Sequence, residues 1–167
     1  KTGSMVDNVR GVRAYIDHFF DVYDREGYDI AVGLVTFADL ENHKITWRGV
    51  TNDRRKFKKW LHKIDFEGGG DLTESGLDAL MKAIYKIKYR ELTQRIFVMV
   101  SDGVFHDADY DGRSDYSQDQ VIASLQEYNI RVDVFGVDYL PVRQLANATG
   151  GSWQVIPGKG YMERQLP

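Results

Sequence analysis

The chain has no cysteine, so a disulfide framework, a zinc-thiolate site and a cysteine nucleophile are all excluded, and the redox compartment is left open. It has no apolar run near the roughly 18 residues that a membrane span needs, and no signal peptide is visible in these residues. It also lacks a basic excess. The net charge of −3 and the pI near 5.8 give no footprint for nucleic acid or for an anionic membrane, so neither nucleic-acid binding nor membrane insertion is expected. There is no internal repeat and no low-complexity segment. No Gly-x-Ser-x-Gly elbow occurs, and no glycine-rich loop is followed by the Lys-Ser/Thr pair of a phosphate loop.

What is present fits one globular domain over residues 1–167, 43% apolar and 28% charged. Ile96-Phe97-Val98-Met99-Val100 is an apolar run too short for a helix, and it stops on Ser101-Asp102-Gly103. Such a run reads as a strand buried on both faces of a parallel sheet. Ligands of open α/β sheets bind beyond the carboxyl ends of the strands, which makes Asp102 a candidate site residue. The alternative role for Asp102 is to cap a turn with Gly103.

The rest of the chain alternates in the same manner. Val6, Val9, Val12, Ile16, Phe19, Phe20 and Tyr23 form a helical apolar stripe that ends at Gly27. Ile30 to Phe37 is a second apolar strand, and Lys44 to Arg48 alternates like a half-exposed strand at a sheet edge. Asp53 to Lys63 is an amphipathic helix with Phe57, Trp60, Leu61 and Ile64 inward and Arg54, Arg55, Lys58 and Lys59 outward, a solvated face or a site for an anionic partner. After Gly68-Gly69-Gly70, Asp71 stands at the cap of a helix expected over Leu72 to Tyr89, either as a plain cap or as a ligand. Helices over Gln118 to Tyr128 and Leu140 to Ala148 and strands over Ile130 to Val137 and Ser152 to Ile156 complete a Rossmann-like, doubly wound α/β pattern with a mostly parallel sheet.

Three loops thus offer small oxygen-bearing side chains where parallel strands would end: Thr2 and Ser4, Asp71, and Asp102. Hydroxyl and carboxylate oxygens suit a hard cation such as Mg²⁺, Mn²⁺ or Ca²⁺. Thr2-Gly3-Ser4-Met5, Gly68-Gly69-Gly70-Asp71 with Glu74 beyond, Val100-Ser101-Asp102-Gly103 and Ala148-Thr149-Gly150-Gly151-Ser152 resemble the von Willebrand factor A domain, over essentially the whole chain. The resemblance implies a metal-ion-dependent adhesion site in which Thr2, Ser4, Asp71 and Asp102 hold one divalent cation and an acidic side chain of a protein partner completes its shell. Thr2 stands where the family has serine and keeps the hydroxyl. Asp71 stands where the family often has threonine, and its added charge should strengthen cation binding while weakening the pull on an acidic partner.

The family's first aspartate would stand immediately before Lys1, and its first strand, the centre of the sheet in the order 3-2-1-4-5-6, is absent from these residues. The domain is therefore read as incomplete at its amino end, with a neighbouring chain or a preceding segment supplying the strand. An empty slot would expose two apolar strand edges to water. A second candidate cation site is the loop Asp107, Asp109, Asp111 and Asp115, which matches the front half of a calcium loop but has Gln118 at the twelfth position. It binds calcium or is a solvated acidic turn. Without an ion, its repelling carboxylates should leave it open. Val104-Phe105-His106-Asp107 is also similar to a stretch of integrin β-type A domains that lies near an ion site, with His106 itself read as a surface or packing residue. The function expected is divalent-cation-dependent protein binding or adhesion, extracellular or at the cell surface, and not enzymatic. The alternatives are a scaffold subunit of a larger assembly and a metallohydrolase, the latter lacking any evident base to activate water.

Overall fold

Helices and strands alternate along the chain in the computed structural model, which describes residues 6–38, 44–64 and 73–155. α1 (Val6–Arg25) is followed by β1 (Val32–Thr36), β2 (Thr46–Thr51) and α2 (Arg54–His62). Then come β3 (Thr73–Glu74), α3 (Gly76–Lys86), β4 (Arg95–Val100), β5 (Val104–Phe105), α4 (Gln118–Glu127), β6 (Ile130–Gly136), α5 (Leu140–Ala148) and β7 (Trp153–Val155). The doubly wound α/β pattern read from the sequence is the fold observed.

The strands fall into three groups among the described residues. β4, β6 and β7 form a parallel sheet in that order, with Phe97 opposite Val132 and Phe135 opposite Gln154. β1 and β2 pair antiparallel, which makes β2 the edge strand that its alternation suggested. β3 and β5 form a short parallel pair. The hydrophobic core is correspondingly in two halves. The larger half holds Leu77, Leu80 and Ile84 of α3, Val121 and Leu125 of α4, Val132 and Val134 of β6 and Val142 and Leu145 of α5. The smaller is built on Phe20, Phe57 and Leu61, with Ile16, Val32, Leu34 and Trp60 packed against them. Burying a side chain such as Leu125 contributes about 1.5–3 kcal/mol before the entropy of ordering is counted.

Local chemistry explains most of the boundaries. Asp53 caps α2 by accepting from the Lys56 N–H at 3.0 Å, and Ser117 with Gln120 forms a reciprocal capping box at the start of α4. The helix expected from Leu72 starts later, at Gly76, because Thr73 and Glu74 stay extended to pair with Val104 and Phe105. Gly76 lets α3 come this close: a Cβ there would fall 2.6 Å from Phe105 Cδ1 and 2.7 Å from Met99 Cε. The same helix ends at Lys86, three residues short of the expected Tyr89, where Ile87 turns to an extended conformation.

β4 departs from expectation in burial. Met99 is buried, but Val98 is 39% exposed, so this strand is not covered on both sides. The reason lies beside it. β1 and β4 are not hydrogen-bonded to each other; they face across a cleft of about 910 Å³ lined by Leu34 and Val35 of β1, Phe97 and Val98 of β4, and Ile16 and Phe19 of α1.

Candidate functional site

The carboxyl end of β4 is prepared for a polar loop. The Ser101 N–H donates to Phe135 O at 3.0 Å, carrying the β4–β6 ladder one residue past the strand. Buried Ser101 then closes the turn: its Oγ accepts the Gly103 N–H at 3.3 Å. Asp102 sits between them, half-buried, at the rim of the parallel sheet. Thr2, Ser4 and Asp71 lie outside the described residues.

One geometric relation bears on them. Thr73 pairs with Val104 and Glu74 with Phe105 in parallel register, and the His106 N–H extends the pair by donating to Glu74 O at 3.0 Å. β3 and β5 themselves therefore run side by side from Thr73 and Val104 onward. Position 71 precedes Thr73 by the same two residues by which Asp102 precedes Val104. The Ser75 N–H reaches across to Ala38 O at 3.4 Å, tying the segment after β1 to the same rim.

The donor set fits a hard cation in kind, being hydroxyl and carboxylate oxygen only. Among the described residues no three acids or histidines converge as a metal-holding group, three of the four candidates being outside that range.

The acidic loop after β5 is compact, and two of its carboxylates, those of Asp107 and Asp111, accept from backbone N–H groups. Asp107 accepts the Asp109 N–H on Oδ1 at 2.8 Å and the Gln118 N–H on Oδ2 at 3.0 Å. Asp111 accepts the N–H groups of Asp107 and Arg113 on Oδ1, and its Oδ2 is 2.6 Å from His106 Nδ1. The tight turn is made by Gly112 at a φ of 68°. The structure thus brings Asp107 and Asp111 together, with the Asp107 N–H donating to Asp111, while Asp109, Asp111 and Asp115 are all exposed. Burial acts to raise the Asp111 carboxyl, but the His106 hydrogen bond and the Arg113 and Asp107 amides outweigh it, so its pKa lies below the ordinary value.

Of the buried residues in this network, the sequence reads His106 as a surface or packing residue and Glu74 as part of the second-loop motif, and Asp78 escapes the sequence reading. His106 is only 2% exposed and belongs to the loop's interior. Asp78, buried on α3, accepts the Asp115 N–H at 3.1 Å, and Glu74 is buried beside the β3–β5 pair. The available signal was an acid set inside the apolar run Leu77, Ala79, Leu80.

A parallel sheet flanked by helices, with a polar rim beyond the strand ends, defines the class: a doubly wound α/β domain. The sequence profile of the von Willebrand factor type A domain matches residues 1–152, and the chain belongs to that family. No curated protein matches it. Among solved structures it is similar to the conserved hypothetical protein BatB from Bacteroides thetaiotaomicron, at 13% identity and a TM-score of 0.59, covering 94% of this chain and 82% of that one. It is also similar to proximal thread matrix protein 1 (PTMP1) from the mussel byssus, at 14% identity and a TM-score of 0.67, covering 99% of this chain and 41% of that one. These likenesses concern the fold. Among the described residues no helix is long and apolar enough to cross a membrane.

Proposed function

We propose that this domain binds a protein partner through a divalent cation, Mg²⁺ or alternatively Mn²⁺ or Ca²⁺, held at the carboxyl end of β4. Thr2, Ser4, Asp71 and Asp102 would hold the ion, and an acidic side chain of the partner would complete its shell. The ion supplies a positive charge that the partner's carboxylate can meet; the chain's own contribution is to present oxygens from separate loops on one rim. The observation that carries this reading is the parallel pairing of β3 with β5, in which Thr73 and Val104, each two residues after Asp71 and Asp102 in sequence, stand opposite one another. Family membership supports protein interaction in general. We place the partner outside the cell or at its surface, and we assign the domain no catalytic step.

We further propose that the cleft between β1 and β4 takes up one extended apolar segment as a central strand, from a neighbouring chain or from a segment not among these residues. Two strand edges line it, and its walls are apolar on both sides. The test of the cation site is Asp102→Ala. Partner capture from an extracellular fraction should be supported by Mg²⁺, removed by EDTA and lost in the variant, with the fold retained. Capture by the variant equal to that of the parent in Mg²⁺ would refute the proposal, and Mg²⁺-restored turnover of an ester or phosphate would favour a metallohydrolase.

A further inference from the structure

α2 holds Arg54, Arg55, Lys56, Lys58 and Lys59 in a chain whose net charge is negative. These cations divide by direction. Arg54 bonds to Asp21 and to the Asp17 carbonyl, and Lys58 Nζ lies 2.7 Å from Asp17 Oδ1, so both are neutralised by α1. Arg55, Lys56 and Lys59 point away, exposed, and none has an ion-pair partner among the described residues. Arg48 of β2 leans onto the same side. Its guanidinium stands 6.0 Å from the Trp60 ring centroid, and Lys56 Nζ stands 5.5 Å from it. Each cation is attracted to the ring, and the ring so gathers two positive charges on this side of the domain.

Beside this face runs an exposed strand. Thr46, Trp47, Arg48 and Gly49 of β2 are exposed, and among the described residues β2 pairs only with β1. An extended polypeptide can use the outer edge of such a strand, whereas a nucleic acid cannot.

We propose that the surface from Arg48 across Trp60 to Lys56 and Lys59 docks an acidic, extended segment of a partner protein, independently of any cation at the β4 rim. Carboxylates of that segment pair with Arg48, Lys56 and Lys59 while its backbone follows β2. The surface adds a second point of attachment to the domain.

The test is fluorescence anisotropy of a short labelled Glu-rich peptide added to the full chain at low ionic strength. The parent should bind it, equally in Mg²⁺ and in EDTA, and binding should fade towards about 1 M salt, where the screening length falls to about 3 Å. Lys56→Glu with Lys59→Glu should weaken binding at least tenfold, and Lys56→Gln with Lys59→Gln should weaken it less, both with unchanged circular dichroism because the side chains are exposed. Equal binding by parent and both variants overturns the proposal. Loss of peptide binding in EDTA overturns it too, by moving the contact to the cation rim. So does binding of a DNA duplex but not of the peptide, and so does salt-sensitive self-association that the peptide fails to displace, which would make a second copy the occupant.

Discussion

A Cβ on Gly151 would lie 1.9 Å from the carbonyl oxygen of Val132, which makes the approach of this loop to β6 a glycine-only contact. The contact is with backbone, so no rotamer change can relieve it. Gly151→Ala should destabilise the domain by about 1–3 kcal/mol or more, as overpacking does. Gly49→Ala is the control, since nothing lies within 4 Å of its Cβ position. Urea midpoints of the two variants check this, and equal midpoints would contradict it.

Asp111 gives a pH dependence with a definite sign. Its folded pKa is depressed, so the stability it contributes is complete above its unfolded value of about 3.9 and is lost as pH falls through the folded value. Asp111→Asn should therefore be less stable than the parent at neutral pH, and the gap should narrow below about pH 4. Thermal melts of both proteins between neutral and acid pH test this; a gap that stayed constant would exclude the linkage.

The cap of α4 is accessible to the same method. Ser117 Oγ accepts from the Gln120 N–H at 3.4 Å, and Gln120 Oε1 accepts from the Ser117 N–H at 2.9 Å. Ser117→Ala should cost about 1 kcal/mol, and Gln120→Ala after it should add a further loss, because the backbone N–H of residue 117 still donates to Gln120 Oε1 once the hydroxyl is gone. No added loss in the double variant would show that the second bond forms only with the first.

The acidic loop should hold its shape in EGTA. Its amides at Asp109, Asp111, Gly112 and Gln118 already have oxygen partners, so hydrogen exchange there should be slow without calcium and change little when it is added. Protection that arises only with calcium would show that the ion, and not Asp107, organises the turn.

Much of this was legible in the chain itself. Apolar runs such as Ile96 to Val100 and the helical stripe through Phe19 and Phe20 placed strands and helices by periodicity, which is a local property. Asp102 could be put at a strand end for the same reason. The β3–β5 pair was not legible, because two residues per strand carry no periodic signal and their pairing joins segments about thirty positions apart. Nor was the fate of Asp107 and Asp111. Alternating aspartates read alike whether they face an ion or backbone N–H groups, and only the fold shows the Gln118 N–H donating to Asp107 and the Arg113 N–H to Asp111.

The division of the core into two halves has a consequence for cooperativity. The half built on α3, α4, α5 and the β4–β6–β7 sheet comes mostly from one continuous stretch of chain, with Phe37 and the Tyr15 ring packed against it from outside that stretch. The half around Phe20 and Phe57 meets it across the cleft. With the cleft empty the two should melt as separate units, the smaller one first. A strand seated between β1 and β4 would be shared by both sheets and bind only when both are formed, so it would fuse two transitions into one and raise the first by mass action. Calorimetry of the chain with and without a candidate apolar strand peptide would then count peaks: two becoming one.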